Sequence, residues 1–182
     1  MRLGYLGPEG TFTHEALIDA TVGAQAEAVS FPTIYEAVVG VRDALVHRAL
    51  VPIENSLEGS VNATLDALAI DARDVVIVGE VVHPIRHCLI ARTTLEADDI
   101  EAVVSHPQAT AQCARFLRTH LQNARVVAGS STAEAVRTVA GCQRPWAALG
   151  TRAAAERYGC RILRAGVEDV TENQTRRILP LQ

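Results

Sequence analysis

The chain has 182 residues, enough for one domain or two small lobes, and at 48% hydrophobic and 21% charged it can bury a proper core and is not a disordered chain. Seventeen Lys and Arg against 21 Asp and Glu leave a net charge of -4, and aromatics are only 4%, so neither a nucleic-acid partner nor base-stacking platforms are expected. No apolar run approaches the ~18 residues of a membrane span, no secretory h-region precedes the first strand pattern, and the four cysteines form no Cys-x-x-Cys pair, so the sequence reads as cytoplasmic, with reduced thiols and no membrane partner.

Leu3-Gly4-Tyr5-Leu6 reads as a short strand, broken by Gly7-Pro8-Glu9-Gly10. Thr11 or Thr13 then caps a helix through His14, Ala16, Leu17 and Ile18. Phe31 precedes a second helix with Ile34, Ala37, Val38, Val41 and Leu45 on one face. Residues 49–53 form a buried strand, and Pro52, lacking a donor, is expected near its end or edge. A polar turn, Glu54-Asn55-Ser56-Leu57-Glu58-Gly59-Ser60, leads to a helix begun by Val61, Leu65 and Leu68. The β-branched run 75–82 and the strand at Cys88-Leu89-Ile90, interrupted by His83-Pro84, suggest a strand pair crossing between lobes.

From Ala102 the same unit recurs. Val103-Val104 is a strand, Ser105-His106-Pro107-Gln108 a turn, and the next helix shows Ala109, Cys113, Phe116 and Leu117 on one face. Val126-Val127 precedes Gly129-Ser130-Ser131-Thr132 and a helix with Ala133, Val136 and Ala140. Ala147-Ala148-Leu149 precedes Gly150-Thr151 and a helix over 153–158, closed by Gly159. The strand at 161–165 is expected to carry the chain back to the first lobe. Strand, polar turn and helix thus recur about five times, the signature of an α/β fold with largely parallel sheets. In such sheets ligands sit beyond the carboxyl ends of strands, where backbone N–H groups at helix starts favour anions. A small, multiply charged acid bound in a cleft between two lobes is the expected ligand class.

The stretch Thr171-Glu172-Asn173-Gln174-Thr175-Arg176-Arg177-Ile178 sets three neutral hydrogen-bonding side chains beside two guanidiniums, just before an apolar strand. A guanidinium can clamp a carboxylate with two parallel bonds while a neighbouring hydroxyl donates to a leaving group. The reading without function is a solvated turn. Glu54-Asn55-Ser56 carries more polar groups than one helix cap needs. Ser105, Gln108 and Gln112 follow a buried strand, with both amides on one helix face. The six histidines suggest no zinc site, though a single one acting as general acid stays open. There is no Gly-x-Ser-x-Gly elbow, P-loop or dinucleotide fingerprint.

Taken in order, Tyr5-Leu6-Gly7-Pro8-Glu9-Gly10-Thr11-Phe12-Thr13, Pro52-Ile53-Glu54-Asn55-Ser56-Leu57-Glu58-Gly59-Ser60-Val61, Ser105-His106-Pro107-Gln108-Ala109 with Gln112-Cys113, Ser131-Thr132-Ala133-Glu134-Ala135 and Asn173-Gln174-Thr175-Arg176 span the chain. In this set it closely resembles the catalytic domain of prephenate dehydratases. The resemblance implies a two-lobed fold like the type II periplasmic binding proteins, with the active site in the interlobe cleft. Lobe 1 would be 1–80 with 164–182, and lobe 2 would be 81–163. It implies conversion of prephenate to phenylpyruvate on the way to phenylalanine, a lyase reaction without cofactor or metal. By that resemblance Thr175, Glu54, Asn55, Gln112 and Ser105 are the catalytic positions, and Arg176, Thr11, Ser56, Gln108 and Arg177 bind substrate. A homodimer is left open as the assembly.

Two departures stand out. The family pattern Thr-Arg-Phe reads Thr175-Arg176-Arg177 here, and the chain stops at Gln182, where the family's phenylalanine-binding ACT domain would begin. By strand alternation, Thr175 and Arg177 face one way and Arg176 the other, unless the segment twists. Two other readings are a prephenate decarboxylase that does not aromatise its product, and a non-catalytic binding module for a small carboxylate.

Overall fold

The computed structural model describes residues 1–21 and 25–181. In chain order it shows β1 (Arg2–Leu6), α1 (Phe12–Ala20), β2 (Glu27–Phe31), α2 (Ile34–Arg42), β3 (Arg48–Asn55), β4 (Gly59–Ser60) and α3 (Asn62–Asp66), which runs into a π-helical turn at Ala67–Asp71. Next come β5 (Val76–Pro84), β6 (Cys88–Ala91), β7 (Ala102–Ser105), α4 (Pro107–Gln112), α5 (Ala114–His120) and β8 (Arg125–Ala128). The chain ends with α6 (Thr132–Ala140), β9 (Trp146–Gly150), α7 (Arg152–Arg157), β10 (Arg161–Ala165) and β11 (Gln174–Leu181). Two compact units form: Met1–Pro8, Phe12–Ile85 and Glu172–Gln182 in the first, Glu9–Thr11 and Arg86–Thr171 in the second. No helix among the described residues is long and apolar enough to cross a membrane.

The first unit is built on a sheet ordered β2-β1-β3-β11-β5, with β4 paired to β3. β1 runs parallel to β2 and β3, while β11 runs antiparallel to both its neighbours. Its helices form where the sequence caps them and keeps an apolar stripe. Thr33 accepts from the Glu36 N–H at 3.1 Å, and Ala37, Val38 and Val41 of α2 then pack on Ala49, Val51 and Ile178. On the other face, Ala16 and Leu17 of α1 pack on Leu3, Tyr5 and Leu50. β2 was not foreseen: it pairs along all five residues of β1, but its burial has no clean alternation to signal it.

Pro52 lies within β3, a strand flanked by β1 and β11. Pairing with β1 ends at Leu50, and the register against β11 shifts between Arg176 and Arg177, opposite Pro52. The missing N–H therefore falls where the ladder is already interrupted, which is how a proline is tolerated in a flanked strand.

The second unit carries a sheet ordered β10-β6-β9-β7-β8. β7 is parallel to β8 and β9, and β6 is antiparallel to β9 and β10. Both sheets are thus mixed rather than largely parallel, with β11 in the first and β6 in the second running antiparallel to both neighbours. β10 does not return the chain to the first unit: it pairs with β6, and the return comes only at Glu172. Phe116 and Leu117 of α5 pack with Leu89, Val103 and Leu149 on one face of this sheet, and Ala135, Val136 and Val139 of α6 pack with Ile90, Val104 and Ala148 on the other.

Candidate functional site

Asn55 ends β3 and stands opposite Thr175 on β11. Its side-chain oxygen accepts from the backbone N–H groups of Leu57 at 2.9 Å and Glu58 at 3.1 Å, an Asx turn that holds the polar loop. With the oxygen so placed, the amide nitrogen must face β11. It donates to Asn173 Oδ1 at 2.9 Å, the Gln174 carbonyl at 3.1 Å and Thr175 Oγ1 at 2.9 Å. Ser56 adds two backbone stitches: its N–H donates to the Gln174 carbonyl at 3.0 Å, and its hydroxyl accepts from the Gln174 N–H at 3.0 Å. The two polar motifs of the first unit are therefore one hydrogen-bonded cluster. Thr175 Oγ1 acts in it as an acceptor, so its own O–H is directed elsewhere as a donor.

Arg177 is buried at 2% exposure. Its Nε donates to Thr13 Oγ1 at 3.4 Å and its Nη1 to the carbonyl of Thr175 at 3.3 Å. Burial pushes this guanidinium down to about 10, with the Glu15 carboxylate opposing the shift. Burial excludes a solvent-facing Arg177 side chain. His83, the cross-strand partner of Thr175, is buried too, with Nε2 3.2 Å from Glu15 and Nδ1 3.5 Å from Asp19. Arg176 points away from Arg177, half-exposed, with Nε 2.7 Å from Glu80 and Nη1 3.6 Å from Glu54. The alternation expected from the sequence thus holds despite the bulge: Thr175 and Arg177 are buried, and Arg176 is exposed.

The remaining sequence candidates lie in the second unit. Ser105 is fully buried, and its hydroxyl donates to the Leu149 carbonyl at 2.9 Å across the sheet. Helix α4 is capped instead by His106, whose Nδ1 accepts from the Gln108 N–H at 3.2 Å, and the Gln108 side chain is exposed. Gln112 ends α4, half-buried, with Oε1 3.0 Å from His87 Nε2. Thr11 stands just before α1 and belongs to the second unit, whereas Thr13 belongs to the first. His83 and His87 are four residues apart, but one serves each unit and they face different partners.

Sequence reasoning did not foresee the contacts of four residues, Asn173, Thr13 and His83 in the first unit and His87 in the second. Asn173, 1% exposed, was read only as part of a motif. Thr13 was read as a helix cap, and His83 and His87 as solitary imidazoles. The β-branched run before His83 and the strand after His87 do signal extended segments, but nothing local names their partners.

The first unit's cluster can present a hydroxyl donor with a fixed orientation, on the same strand face as a buried cation. The family model described as prephenate dehydratase matches residues 3–179. The chain is 41% identical over 177 residues to a bifunctional chorismate mutase/prephenate dehydratase of Neisseria gonorrhoeae, covering 97% of this chain and 48% of that protein. It is 38% identical over 188 residues to a prephenate dehydratase of Mycobacterium sp. strain JLS, covering 98% and 59%. Among solved structures, prephenate dehydratase from Arthrobacter aurescens in complex with L-Phe superposes with a TM-score of 0.90 at 36% identity, covering all of this chain and 60% of that one. A periplasmic substrate-binding protein of an ABC transporter from Coxiella burnetii, at 12% identity and a TM-score of 0.51, shares the fold alone. The chain spans about half to three-fifths of the length of the curated relatives named here. A family model matched over residues 3–179, with curated relatives 38–41% identical over 97–98% of the chain, places the chain in the prephenate dehydratase family.

Proposed function

We propose that this chain converts prephenate to phenylpyruvate, carbon dioxide and water, acting as a lyase in the cytoplasm. The observation that carries the reading is the 2.9 Å bond from the Asn55 amide to Thr175 Oγ1. It fills an acceptor position on the hydroxyl and leaves the proton for the departing ring hydroxide. In the reaction the ring C–O bond breaks as hydroxide takes a proton, the bond to the ring carboxylate breaks as CO2, and its electron pair completes the aromatic ring. The step is redox-neutral and driven by aromatisation, so the protein needs to hold a dianion and assist one leaving group. Thr175 is the donor to that group, and assistance of this kind contributes about 10²–10⁴-fold. The buried cation of Arg177 favours an anion on the Thr175 face, and Asn55, Ser56 and Asn173 keep the hydroxyl in place.

The test is ultraviolet detection of phenylpyruvate formed from prephenate by the purified chain. Thr175→Ala is expected to lower kcat by at least ~10²-fold while Tm changes little, because the hydroxyl acts mainly in the transition state. Loss of prephenate with no phenylpyruvate would favour the non-aromatising decarboxylase. Binding without turnover would favour the carboxylate-binding module.

A further inference from the structure

We infer that His87 is a positioning residue for Gln112: it fixes which end of the Gln112 side-chain amide is offered to the substrate. The inference rests on the reading of Gln112 as a substrate-contacting residue.

Gln112 sits at a break between two short helices. Its carbonyl accepts from the Asp169 N–H at 2.7 Å, and the Asp169 carboxylate accepts from Arg115 N–H at 2.8 Å and Phe116 N–H at 3.2 Å, capping α5. The same short segment grips His87. The Val167 N–H donates to the His87 carbonyl at 3.1 Å, and the His87 N–H donates to Glu168 Oε2 at 2.9 Å. Glu168 is itself buried and anchored by Arg86 Nη1 at 3.0 Å, and Arg86 also holds the Thr171 carbonyl. Residues 167–169 therefore fasten His87 by both its backbone groups and Gln112 by its carbonyl. The ring, 1% exposed, then has Nε2 3.0 Å from Gln112 Oε1.

The proton assignment follows from burial. Desolvation pushes His87 below its ordinary value, with Gln112 and Glu168 opposing, so the ring is neutral near pH 7 and carries one N–H. A nitrogen facing a carbonyl oxygen must carry the proton, so Nε2 donates to Oε1. The Gln112 NH2 group is then turned to the opposite side as a donor. For a substrate bearing two carboxylates and a hydroxyl, a donor is the useful end. Without the imidazole, the amide could rotate and offer its oxygen, which would repel a carboxylate.

The decisive experiment is a double-mutant cycle with a structural readout. His87→Leu removes the donor, and His87→Gln restores an N–H donor at the same reach. His87→Leu is expected to lower kcat/KM at least ~10-fold in the wild-type background and to add nothing in Gln112→Ala, with His87→Gln recovering most of the loss. Equal losses from His87→Leu with and without Gln112 would overturn the inference, even if Gln112→Ala is itself impaired. A silent Gln112→Ala would instead remove Gln112 from the site, and the inference with it. Nitrogen-15 shifts of the His87 ring in the unmutated protein read the tautomer without relying on any variant folding. A proton on Nε2 supports the assignment, and a proton on Nδ1 overturns it.

Discussion

Arg177 replaces an aromatic position of the family pattern with a cation, and the replacement is inside the protein. A guanidinium at 2% exposure whose hydrogen bonds to Thr13 and the Thr175 carbonyl are long has lost much of its hydration. The sign is definite. The native state binds this proton less tightly than the unfolded chain does, so at every pH below about 10 the buried cation opposes folding. Arg177→Met keeps the length of the side chain and removes the charge. Its Tm is expected to equal or exceed that of the wild type, while KM for prephenate rises, as follows from the substrate-binding role proposed for this cation. Calorimetry and steady-state kinetics on the same preparation check both halves, and a lower Tm with unchanged KM would make Arg177 a structural strut. Arg176, by contrast, is held by Glu80 and Glu54 at half exposure. To clamp a carboxylate it would have to leave two it already contacts.

At the scale of elements, the second unit depends on close packing of α6 against β9. Gly150 ends β9, and a Cβ there would lie 2.5 Å from Val136 Cγ2 and 3.4 Å from Ile90 Cδ1. Neither neighbour can yield, since both are fully buried among Val104, Ala135 and Ala148. Gly150→Ala is expected to destabilise the protein by about 1–3 kcal/mol through overpacking. Urea unfolding measures it: the midpoint should fall with m unchanged. The β11 register shift belongs to this scale as well. By placing its irregularity opposite Pro52, the sheet keeps Thr175 beside Asn55 while Arg177 and Leu179 lie on the α1 face and Ile178 on the α2 face.

For the whole molecule, the distribution of thiols gives an accessible measure of native packing. Cys88 and Cys113 are buried, Cys142 and Cys160 half-buried, and none of the four is in a disulfide. Burial, aided by the Asp169 and Glu168 carboxylates, pushes the Cys113 thiol far above its usual range, so almost no thiolate forms. An aromatic disulfide reagent at pH 8 is expected to label Cys142 first and Cys160 more slowly, since burial raises the latter's thiol as well. Cys88 and Cys113 should react only after denaturant is added. Rapid labelling of all four in buffer would show that the second unit opens on the labelling timescale. The sequence by itself determined what local chemistry can determine: the α/β pattern, the helices that follow Phe31, Ser131 and Thr151, and the polar runs at 54–56 and 173–177. These follow from periodicity, capping and strand alternation, which act over a few residues. Tertiary structure alone decided which groups meet. Asn55 bonds Asn173 across 118 residues, and His87 bonds Gln112 across 25, and no repeat or spacing links either pair. It also placed β10 in the second sheet and gave Arg176 its two carboxylates, because strand pairing and ion pairing are settled by what lies alongside in space. The orientation of the Thr175 hydroxyl belongs to the same class, since it depends on a loop folded against a strand from the far end of the chain.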